Sequence, residues 1–203
     1  MQYPKLPPDF YRRPDPVQIA RELLGKHVFS CLDGELTGGR IVETEAYSHH
    51  GDDSMQLHLK RRGSHGHALL EPGGRAYLYQ VYQRHTLFNI STNEADKPDT
   101  VLIRAIEPLV GVEVMLRRRG LDTASAKLTA GPGLLTQALG VTPVLSGTDL
   151  QSDILWLEDH SEEILEDQVR RGARVGLAYA GDEAATLPWR LSIIGNAWIS
   201  KAK

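Results

Sequence analysis

The pattern of apolar and polar residues predicts a mixture of strands and helices. β-branched and aromatic residues are dense in nine segments, which predicts strands at residues 26–32, 40–47, 76–82, 85–92, 100–107, 154–157, 173–180, 190–194 and 197–200. Helices are predicted at residues 16–24, 109–119, 131–140 and 162–171. Hairpin strands combined with separate helices predict an α+β domain with a curved, largely antiparallel sheet, flanked by helices and carrying a protruding β-hairpin.

The connections between these elements also carry information. Asp33-Gly34 is a two-residue hairpin signal that joins residues 26–32 to the next strand. A second hairpin is predicted around Gln83-Arg84, with Tyr82 at its tip. Residues 48–72 show no periodicity and predict a long loop, whereas the proline-rich residues 1–14 predict an extended arm. With no internal repeat or linker, we expect residues 1–203 to form a single domain.

The predicted strand 40–47, RIVETEAY, carries the first candidate chemistry. Alternation places one set of side chains on one face, namely Ile41, Glu43, Glu45 and Tyr47, and the other set on the opposite face, namely Arg40, Val42, Thr44 and Ala46. A solvated strand edge has this pattern. Equally, a partly buried carboxylate with raised basicity, next to an aromatic ring, suits proton transfer beside a planar substrate.

The predicted strand 100–107 contains one charged residue that requires an explanation. Arg104 falls on the same face as Leu102 and Ile106 in the run TVLIRAIE. A buried guanidinium needs an anionic partner, because an unpaired buried charge destabilises a fold by several kcal/mol. Glu43 and Glu45 are the candidate partners, and the alternative is that Arg104 reaches solvent from an edge strand.

Composition narrows the class of protein. A chain of 203 residues with 41% hydrophobic residues suits one buried core. The single cysteine, Cys31, excludes an internal disulfide, which fits a reducing compartment. No apolar run has the length of a membrane span, and the first residues lack the apolar core of a signal peptide, so we expect a cytoplasmic protein outside the membrane. The net charge of −3 argues against a uniformly basic coat for nucleic acid, but not against a local basic face.

Seven motifs, in order along nearly the whole chain, resemble those of the alkyladenine-type 3-methyladenine DNA glycosylases: RIVETEAY, YLYQVYQRHTLFNIS, VLIRAIEPLVG, AGPGLLTQALG, DL, RVGLAYAG and PWRLSIIGNAWIS. The resemblance implies a monofunctional enzyme that flips a damaged purine out of double-stranded DNA. It also implies hydrolysis of the N-glycosidic bond without a metal, a cofactor or a covalent intermediate.

The resemblance assigns roles to three residues of the reaction centre. Glu45 corresponds to the general base that deprotonates the attacking water. Arg104 corresponds to an arginine that shares the water site, and Val175 to a position whose backbone carbonyl completes that site. One carboxylate suffices for a cationic base such as 3-methyladenine or 7-methylguanine, which leaves without an acid, whereas neutral hypoxanthine or ethenoadenine needs a proton from elsewhere.

The resemblance also assigns the base pocket and the DNA wedge. Tyr47 corresponds to the ring that stacks on the flipped base and Tyr79 to a second lining ring. Asn89 corresponds to a residue that clashes with the amino group of normal guanine. The residue that closes the other face of the base pocket corresponds to His58, with His49 and His50 as alternatives. Tyr82 corresponds to the wedge that enters the minor groove. From the residues alone, Tyr79 also fits the core and Asn89 also fits a turn.

Two other functions remain open from the sequence. A metal-dependent hydrolase would use the histidine-rich residues 49–67, and its ligands would be His49, His58, His65, His67 and Asp52 or Asp53, although their spacing forms no ordered metal signature. A non-catalytic damage-binding protein is the other alternative, and the presence of Glu45 argues against it. For the glycosylase we expect a monomer with a basic DNA-binding face formed by Arg61, Arg62 and residues 117–119.

Overall fold

The α+β class is confirmed by the computed structural model, which describes residues 3–62, 67–82 and 84–201. The strands are β1 His27–Leu32, β2 Glu35–Tyr47, β3 Ala76–Val81, β4 His85–Thr92, β5 Asp99–Val110, β6 Leu155–Glu158, β7 Val169–Gly172 and β8 Arg190–Ile193. The α-helices are α1 Pro8–Tyr11, α2 Pro16–Glu22, α3 Asp53–Arg62, α4 His67–Leu70, α5 Val112–Arg119, α6 Pro132–Leu139 and α7 Asp182–Thr186. Within the described ranges, no helix is long and apolar enough to cross a bilayer.

All eight strands belong to one antiparallel sheet. The strand order is β3-β4-β5-β2-β1-β6, and β8 pairs with both β2 and β7. Strand β2 is central because β5 pairs along one of its edges, while β1 and β8 share the other. Residues 43–45 of β2 therefore lie between β5 and β8, in the interior of the sheet.

The hydrophobic core covers one face of this sheet. Helix α2 begins at its Asp15 cap, whose side chain accepts hydrogen bonds from the amides of Val17 and Gln18. Its buried residues Ile19 and Ala20 join strand residues such as Ile103 and Ile106 in the core. Helix α6 contributes its apolar face, with Leu135, Ala138 and Leu139 buried. Packing against these helices leaves the opposite side chains of β2 and β5 free to build a site.

Both predicted hairpins are present. Asp33 and Gly34 have φ angles of 53° and 77°, the two positive values that a type I′ turn requires. Strands β3 and β4 pair along their length, from Ala76 opposite Ile90 to Val81 opposite His85. Tyr82 lies in the turn between them and has a φ of 51°. Gln83, which completes the predicted tip, lies outside the described residues.

The predicted face assignment of β2 is wrong at Ile41. Ile41 lies in the hydrophobic core with Ala46, and the Thr44 hydroxyl donates to the carbonyl of Ala20, so these side chains point toward α2. The pairing with β5 shifts between Ile41 and Glu43, leaving Val42 as an extra residue in a bulge. Simple alternation therefore fails across Val42.

A second shift lies on the facing strand. Glu43 pairs with Ala105 and Thr44 with Ile103, so Arg104 is the extra residue of β5. Arg104 shares its face with Leu102 as predicted, but Ile106 lies in the core instead. A bulge re-aims the side chain of its extra residue. The two bulges together turn Glu43, Glu45 and Arg104 away from the core.

The predicted extended arm and long loop contain helices. Within the arm, residues 8–11 form α1, and Tyr11 is completely buried. Within residues 48–72, the structure has α3 and α4, with residues 63–66 outside the described ranges. Helix α3 follows Asp52, whose side chain accepts a hydrogen bond from the amide of Ser54. This helix cap is the local signal that the sequence analysis missed.

Four predictions in the second half of the chain are wrong. Strand β5 continues to Val110, so the helix predicted from 109 begins at Val112. In place of the helix predicted at 162–171, Glu166–Gln168 form a 3₁₀ turn and Val169–Gly172 form β7, while Glu166 and Glu162 pair with Arg21 and Arg40. In place of the strand predicted at 173–180, residues 173–177 form a loop, in which Gly176 has a φ of 79°, and Ala178–Ala180 form a 3₁₀ turn. Residues 197–200 are irregular.

The close approach of β2 and β5 predicts a strong effect at Gly39. A Cβ atom there would lie 2.2 Å from the carbonyl oxygen of Glu107, so Gly39→Ala must displace backbone. We expect Gly39→Ala to lower the free energy of unfolding by about 1–3 kcal/mol in urea denaturation. Gly172→Ala is the matched control, because its Cβ would meet only the end of the Arg190 side chain at 3.9 Å. Equal losses in the two variants would contradict this account of the strand pair.

Candidate active site

Glu45 lies in the middle of the sheet, with Leu102 of β5 on one side and Arg190 of β8 on the other. Its side chain has no exposed surface. Three donors contact its carboxylate: the Val175 amide at 2.7 Å, the Tyr47 hydroxyl at 2.7 Å and Arg104 Nη1 at 3.2 Å. All three partners present N–H or O–H groups to the carboxylate and hold it in one orientation.

Arg104 contacts both Glu43 and Glu45. The prediction that this buried guanidinium has an anionic partner is therefore confirmed. Its Nε donates to Glu43 Oε1 at 3.0 Å, while Nη1 faces Glu45. Only 6% of the residue is exposed, so it does not reach solvent as an edge residue would. Burial opposes the charge of Arg104, but Glu45 and Glu43 outweigh burial and raise its pKa.

Glu43 supports this arrangement from behind. Its carboxylate accepts hydrogen bonds from the Ser200 amide at 2.8 Å and the Ser200 hydroxyl at 2.9 Å. Arg190 Nη1 lies 3.8 Å from the same carboxylate and supplies the second positive charge of the cluster. Two carboxylates and two guanidinium groups therefore balance, with both carboxylates unexposed and the Arg190 side chain 21% exposed.

Tyr47 follows Glu45 by two residues and shares its face. Burial and the charge of Glu45 raise the pKa of the Tyr47 phenol well above its ordinary value, so the hydroxyl remains protonated and donates to Glu45. The ring thus has a fixed orientation next to the carboxylate, which places a flat aromatic surface within the same cavity.

A cavity of about 470 Å³ opens over these groups. Its walls come from β2, β3, β5, the β3–β4 hairpin, the start of α6 and the loop after Arg174. The lining residues are Glu45, Tyr47, Tyr79, Val81, Tyr82, His85, Leu87, Leu102, Arg104, Gly131, Pro132, Gly133, Leu134, Val175, Gly176, Leu177 and Tyr179. The size and mainly apolar lining suit a small organic group with few polar contacts.

A recess of about 50 Å³ adjoins this cavity and shares Tyr47, Tyr79, Leu177 and Tyr179 with it. His58 and Asn89 line the recess, so the predicted base-pocket residues lie together. His58 Nε2 is 2.8 Å from the Tyr77 hydroxyl, and its ring centroid is 4.8 Å from that of Tyr79. Asn89 is buried within β4 and is not a turn residue.

Comparison with known proteins identifies the family. The model of the methylpurine-DNA glycosylase family matches residues 9–197. The chain belongs to this family. A relative from Chlorobaculum tepidum, assigned as a 3-methyladenine DNA glycosylase, is 38% identical over 98% of this chain and 92% of its own length. Relatives assigned in the same way from Bacillus thuringiensis and Methanoculleus marisnigri are each 37% identical, over 96% and 97% of this chain and 98% of their own lengths.

Family membership confirms the predicted class of enzyme. The chain is a DNA glycosylase of DNA repair, a hydrolase that acts on the N-glycosidic bonds of alkylated bases. Its substrate is therefore DNA. Within this family assignment, the residues singled out from the sequence are gathered around one cavity: Glu45, Tyr47, Tyr79, Tyr82, Arg104 and Val175, with His58 and Asn89 in the adjoining recess.

Val175 contacts Glu45 through its backbone, and the role of its carbonyl stays a prediction. The resemblance implies a role for its carbonyl, whereas the contact described by the structure is from its amide N–H to Glu45. The amide is presented by a loop that leaves β7 and is turned by Gly176. A backbone donor of this kind is independent of the side chain at position 175.

The glycosylase has a buried ion pair that the sequence analysis missed. Arg174 and Asp52 form a bidentate pair with distances of 2.6 and 2.9 Å. Burial opposes the ionisation of Asp52, but hydrogen bonds from Arg174 and Ser54 outweigh it and lower the pKa of its carboxyl group. Neither residue had a local signal for this pairing, because they are separated by 122 positions.

The histidine-rich segment is used for other contacts. His49 Nδ1 is 2.7 Å from Asp99, and Asp52 is bound to Arg174. His65 lies outside the described residues, and the side chain of His67 is not among those described. In the described part of the chain, no three His, Cys, Asp or Glu residues come together as a metal site.

The predicted basic face divides into two parts. Arg117 and Arg118 pair with Glu35, and Arg119 binds Gln137 near the C-terminal end of α6. These three arginines at the end of α5 therefore make structural contacts, and the end of α6 that Arg119 reaches is the one away from the cavity. Arg61 is exposed, and its guanidinium carbon lies 4.7 Å from the ring centroid of Tyr179 at the cavity. The side chain of Arg62 is not among those described.

The buried charge cluster predicts a large effect on stability. Glu43→Ala leaves Arg104 and Arg190 with one nearby carboxylate, so we expect a loss of about 3–5 kcal/mol in the free energy of unfolding. Glu22→Ala removes a half-exposed pair with Arg13 and should cost about 0–1 kcal/mol. Chemical denaturation followed by circular dichroism measures both. A loss for Glu43→Ala no larger than that for Glu22→Ala would contradict the proposed balance of charges.

Proposed function

We propose that this glycosylase flips alkylated purines, 3-methyladenine and 7-methylguanine, out of duplex DNA and hydrolyses their N-glycosidic bonds with a water activated by Glu45. The observation that carries the proposal is the placement of Glu45: an unexposed carboxylate, held by three donors, in the wall of a cavity of about 470 Å³. We further propose that one chain suffices, since a single domain supplies all of these residues.

The hydrogen bonds of Glu45 support its role as a general base. A carboxylate offers about four acceptor positions; Val175 and Tyr47 donate hydrogen bonds to Glu45, and Arg104 Nη1 forms an ion pair with it at 3.2 Å. A free acceptor position can hold a water whose proton passes to Glu45 as the oxygen attacks C1′ of the sugar. Arg104 fixes the orientation of the carboxylate and lines the water site from β5.

A single acidic residue is sufficient for cationic leaving groups. Glu45 is the one carboxylate among the described residues that line the main cavity. Glycosidases that expel a neutral alcohol use a second carboxyl group as an acid. A purine alkylated at N3 or N7 already carries positive charge and leaves as a neutral base. Hypoxanthine and ethenoadenine, which are neutral, require protonation by another donor and are expected to react more slowly.

The rings of the pocket support recognition of a planar base. Tyr47 and Tyr79 line both the cavity and the recess, and His58 and Asn89 line the recess. Stacking on an aromatic side chain contributes about 1–3 kcal/mol per base. Within the proposal, Tyr47 stacks on the extruded base, His58 closes the other face and Asn89 excludes the amino group of normal guanine.

Tyr82 is suited to enter the duplex. It is 88% exposed at the turn between β3 and β4, with its backbone in the left-handed region. A large aromatic ring held out in solvent gains little from the fold, so its exposure favours contact with a partner. A wedge of this kind fills the gap left by a flipped base and offsets unstacking of a few kcal/mol.

Contact with the phosphate backbone requires a local basic surface, because the net charge is −3. Arg61 lies over the ring of Tyr179, which lines the cavity, and Arg84 is exposed in the chain between the lining residues Tyr82 and His85. We assign backbone contacts to these two residues. Binding of this type weakens steeply as salt concentration rises.

Glu45→Gln tests the proposed general base. We expect base release from a 7-methylguanine duplex in single turnover to fall by about 10²–10⁴-fold, because the amide cannot accept the proton. Binding of the damaged duplex should persist in a fluorescence anisotropy assay. Glu158→Gln is the control: it removes a carboxylate on β6 that pairs with His160, and it should change the rate by less than about twofold. Release near the wild-type rate by Glu45→Gln would remove Glu45 from the mechanism.

The same assay with a chelator distinguishes the metal-dependent alternative. The proposed reaction proceeds unchanged in EDTA. Loss of activity in EDTA and recovery with added metal would favour a hydrolase that uses the histidine-rich segment, and binding without base release would favour a damage-binding protein.

Tyr82→Ala tests the wedge separately from the chemistry. We expect single-turnover release of 7-methylguanine paired with cytosine to fall by about tenfold or more, because unstacking by a few kcal/mol is no longer offset. Release from a mismatched 7-methylguanine, which is easily extruded, should fall much less. Tyr82→Phe keeps the ring and should resemble the wild type. Equal losses on the two duplexes would count against a wedge.

A further inference from the structure

Arg174 is a charged side chain buried within the body of the protein, and the proposed mechanism assigns it no step. Its side chain and that of Asp52 both have 0% exposure. A buried ion pair seldom adds net stability over apolar residues of similar size, because both charges lose their hydration. Its presence beside the cavity therefore points to a role in the geometry of the site.

The guanidinium of Arg174 holds three segments together. It binds both oxygens of Asp52, just before α3, at 2.6 and 2.9 Å. It also donates to the carbonyl of Ala46 in β2 at 2.9 Å and to the carbonyl of Ala184 in α7 at 3.0 Å. Only a planar group with several fixed donors can make this set of contacts, and lysine lacks that shape.

The same guanidinium lies against the ring of Tyr47. Its central carbon is 4.6 Å from the Tyr47 ring centroid and 5.1 Å from that of Trp189. Tyr47 is thus held at two places: its hydroxyl is bound to Glu45, and its ring contacts Arg174. Because Asp52 balances the charge of Arg174, the ring gains a rigid support without a net positive charge behind it.

We propose that Arg174 is a positioning residue that acts through Tyr47, setting the plane on which the extruded base stacks. This inference rests on the proposed function, since it takes Tyr47 as the stacking ring. The ion pair also fixes the start of α3, which carries His58 into the lining of the recess that Tyr47 also lines. One buried pair thereby sets the spacing between the Tyr47 ring and His58.

A double-mutant cycle tests this role. Arg174→Lys keeps the positive charge but loses the forked contacts, and Tyr47→Leu removes the ring through which Arg174 is proposed to act. The measurement is the single-turnover rate constant for release of 7-methylguanine at saturating enzyme, which does not depend on the fraction of molecules that are folded. We expect Arg174→Lys to lower this rate constant by about 10–100-fold in the wild-type background, since small displacements strongly affect reactions of bound groups.

In the Tyr47→Leu background, the same Arg174→Lys change should lower the rate constant by less than about threefold, because the group that Arg174 positions is already absent. Arg40→Lys is the matched control. Arg40 also pairs with two carboxylates, Glu107 and Glu162, but on the part of β2 away from the cavity. Its replacement should leave the rate constant within about twofold of wild type while testing a similar loss of forked contacts.

Several outcomes would overturn the proposal. One is a wild-type rate for Arg174→Lys, and another is a loss by the same factor in both backgrounds, as a general structural defect would give. If Arg174→Lys fails to fold, Asp52→Asn replaces it in the cycle, and failure of both to fold makes the pair a folding determinant only. Failure of the proposed function is distinct: wild-type enzyme would release no base, or Tyr47→Leu alone would keep full activity.

Discussion

The structure depends on the burial of opposite charges in the middle of a β-sheet. Glu43 and Glu45 project from the central strand β2, and Arg104 lies between them from β5. Each of these ions would destabilise the fold by several kcal/mol if its partners were missing. The arrangement therefore ties the register of the two strands to the presence of all three groups. The consecutive bulges at Val42 and Arg104 are the local distortions that make this register compatible with a continuous core on the other face.

The same requirement extends to the loops around the sheet. Besides facing Arg104, Glu45 accepts hydrogen bonds from the Val175 amide and the Tyr47 hydroxyl, and Glu43 accepts them from Ser200. Segments far from β2 in the chain are thereby attached to it by hydrogen bonds to charged groups, which are stronger than those between neutral partners. Because the carboxylates stand on strands and not on loops, the positions of the attached segments inherit the rigidity of the sheet.

Much of this fold follows from local sequence. The Asp33-Gly34 turn and the Asp15 cap of α2 are short-range signals, and the structure contains both elements. The candidate residues Glu45 and Arg104 could also be chosen from sequence, because acidic and basic groups in apolar strands require each other. Recognisable motifs supplied the rest of the predicted site.

What could not be predicted depends on partners distant in the chain. The bulge at Val42 exists only through the pairing of β2 with β5, so alternation within β2 placed Ile41 on the wrong face. Residues 173–180 have the composition of a strand, but Arg174 contacts Asp52 and two carbonyl groups within a loop, and Ala178–Ala180 form a 3₁₀ turn. The Asp52 cap of α3 could be predicted from adjacent residues, but the pairing of Asp52 with Arg174 could not, because the two are 122 positions apart.

The contacts that complete the buried carboxylate site also determine when the site can form. The Val175–Glu45 hydrogen bond joins residues 130 positions apart, and the Ser200–Glu43 bond joins residues 157 positions apart. Such long-range contacts form late, after the entropy of closing large loops has been overcome. A nascent or truncated polypeptide that lacks the last thirty or so residues consequently has strand β2 but not the completed carboxylate site. Under the proposed mechanism, release of damaged bases from DNA is thus restricted to chains that have finished folding.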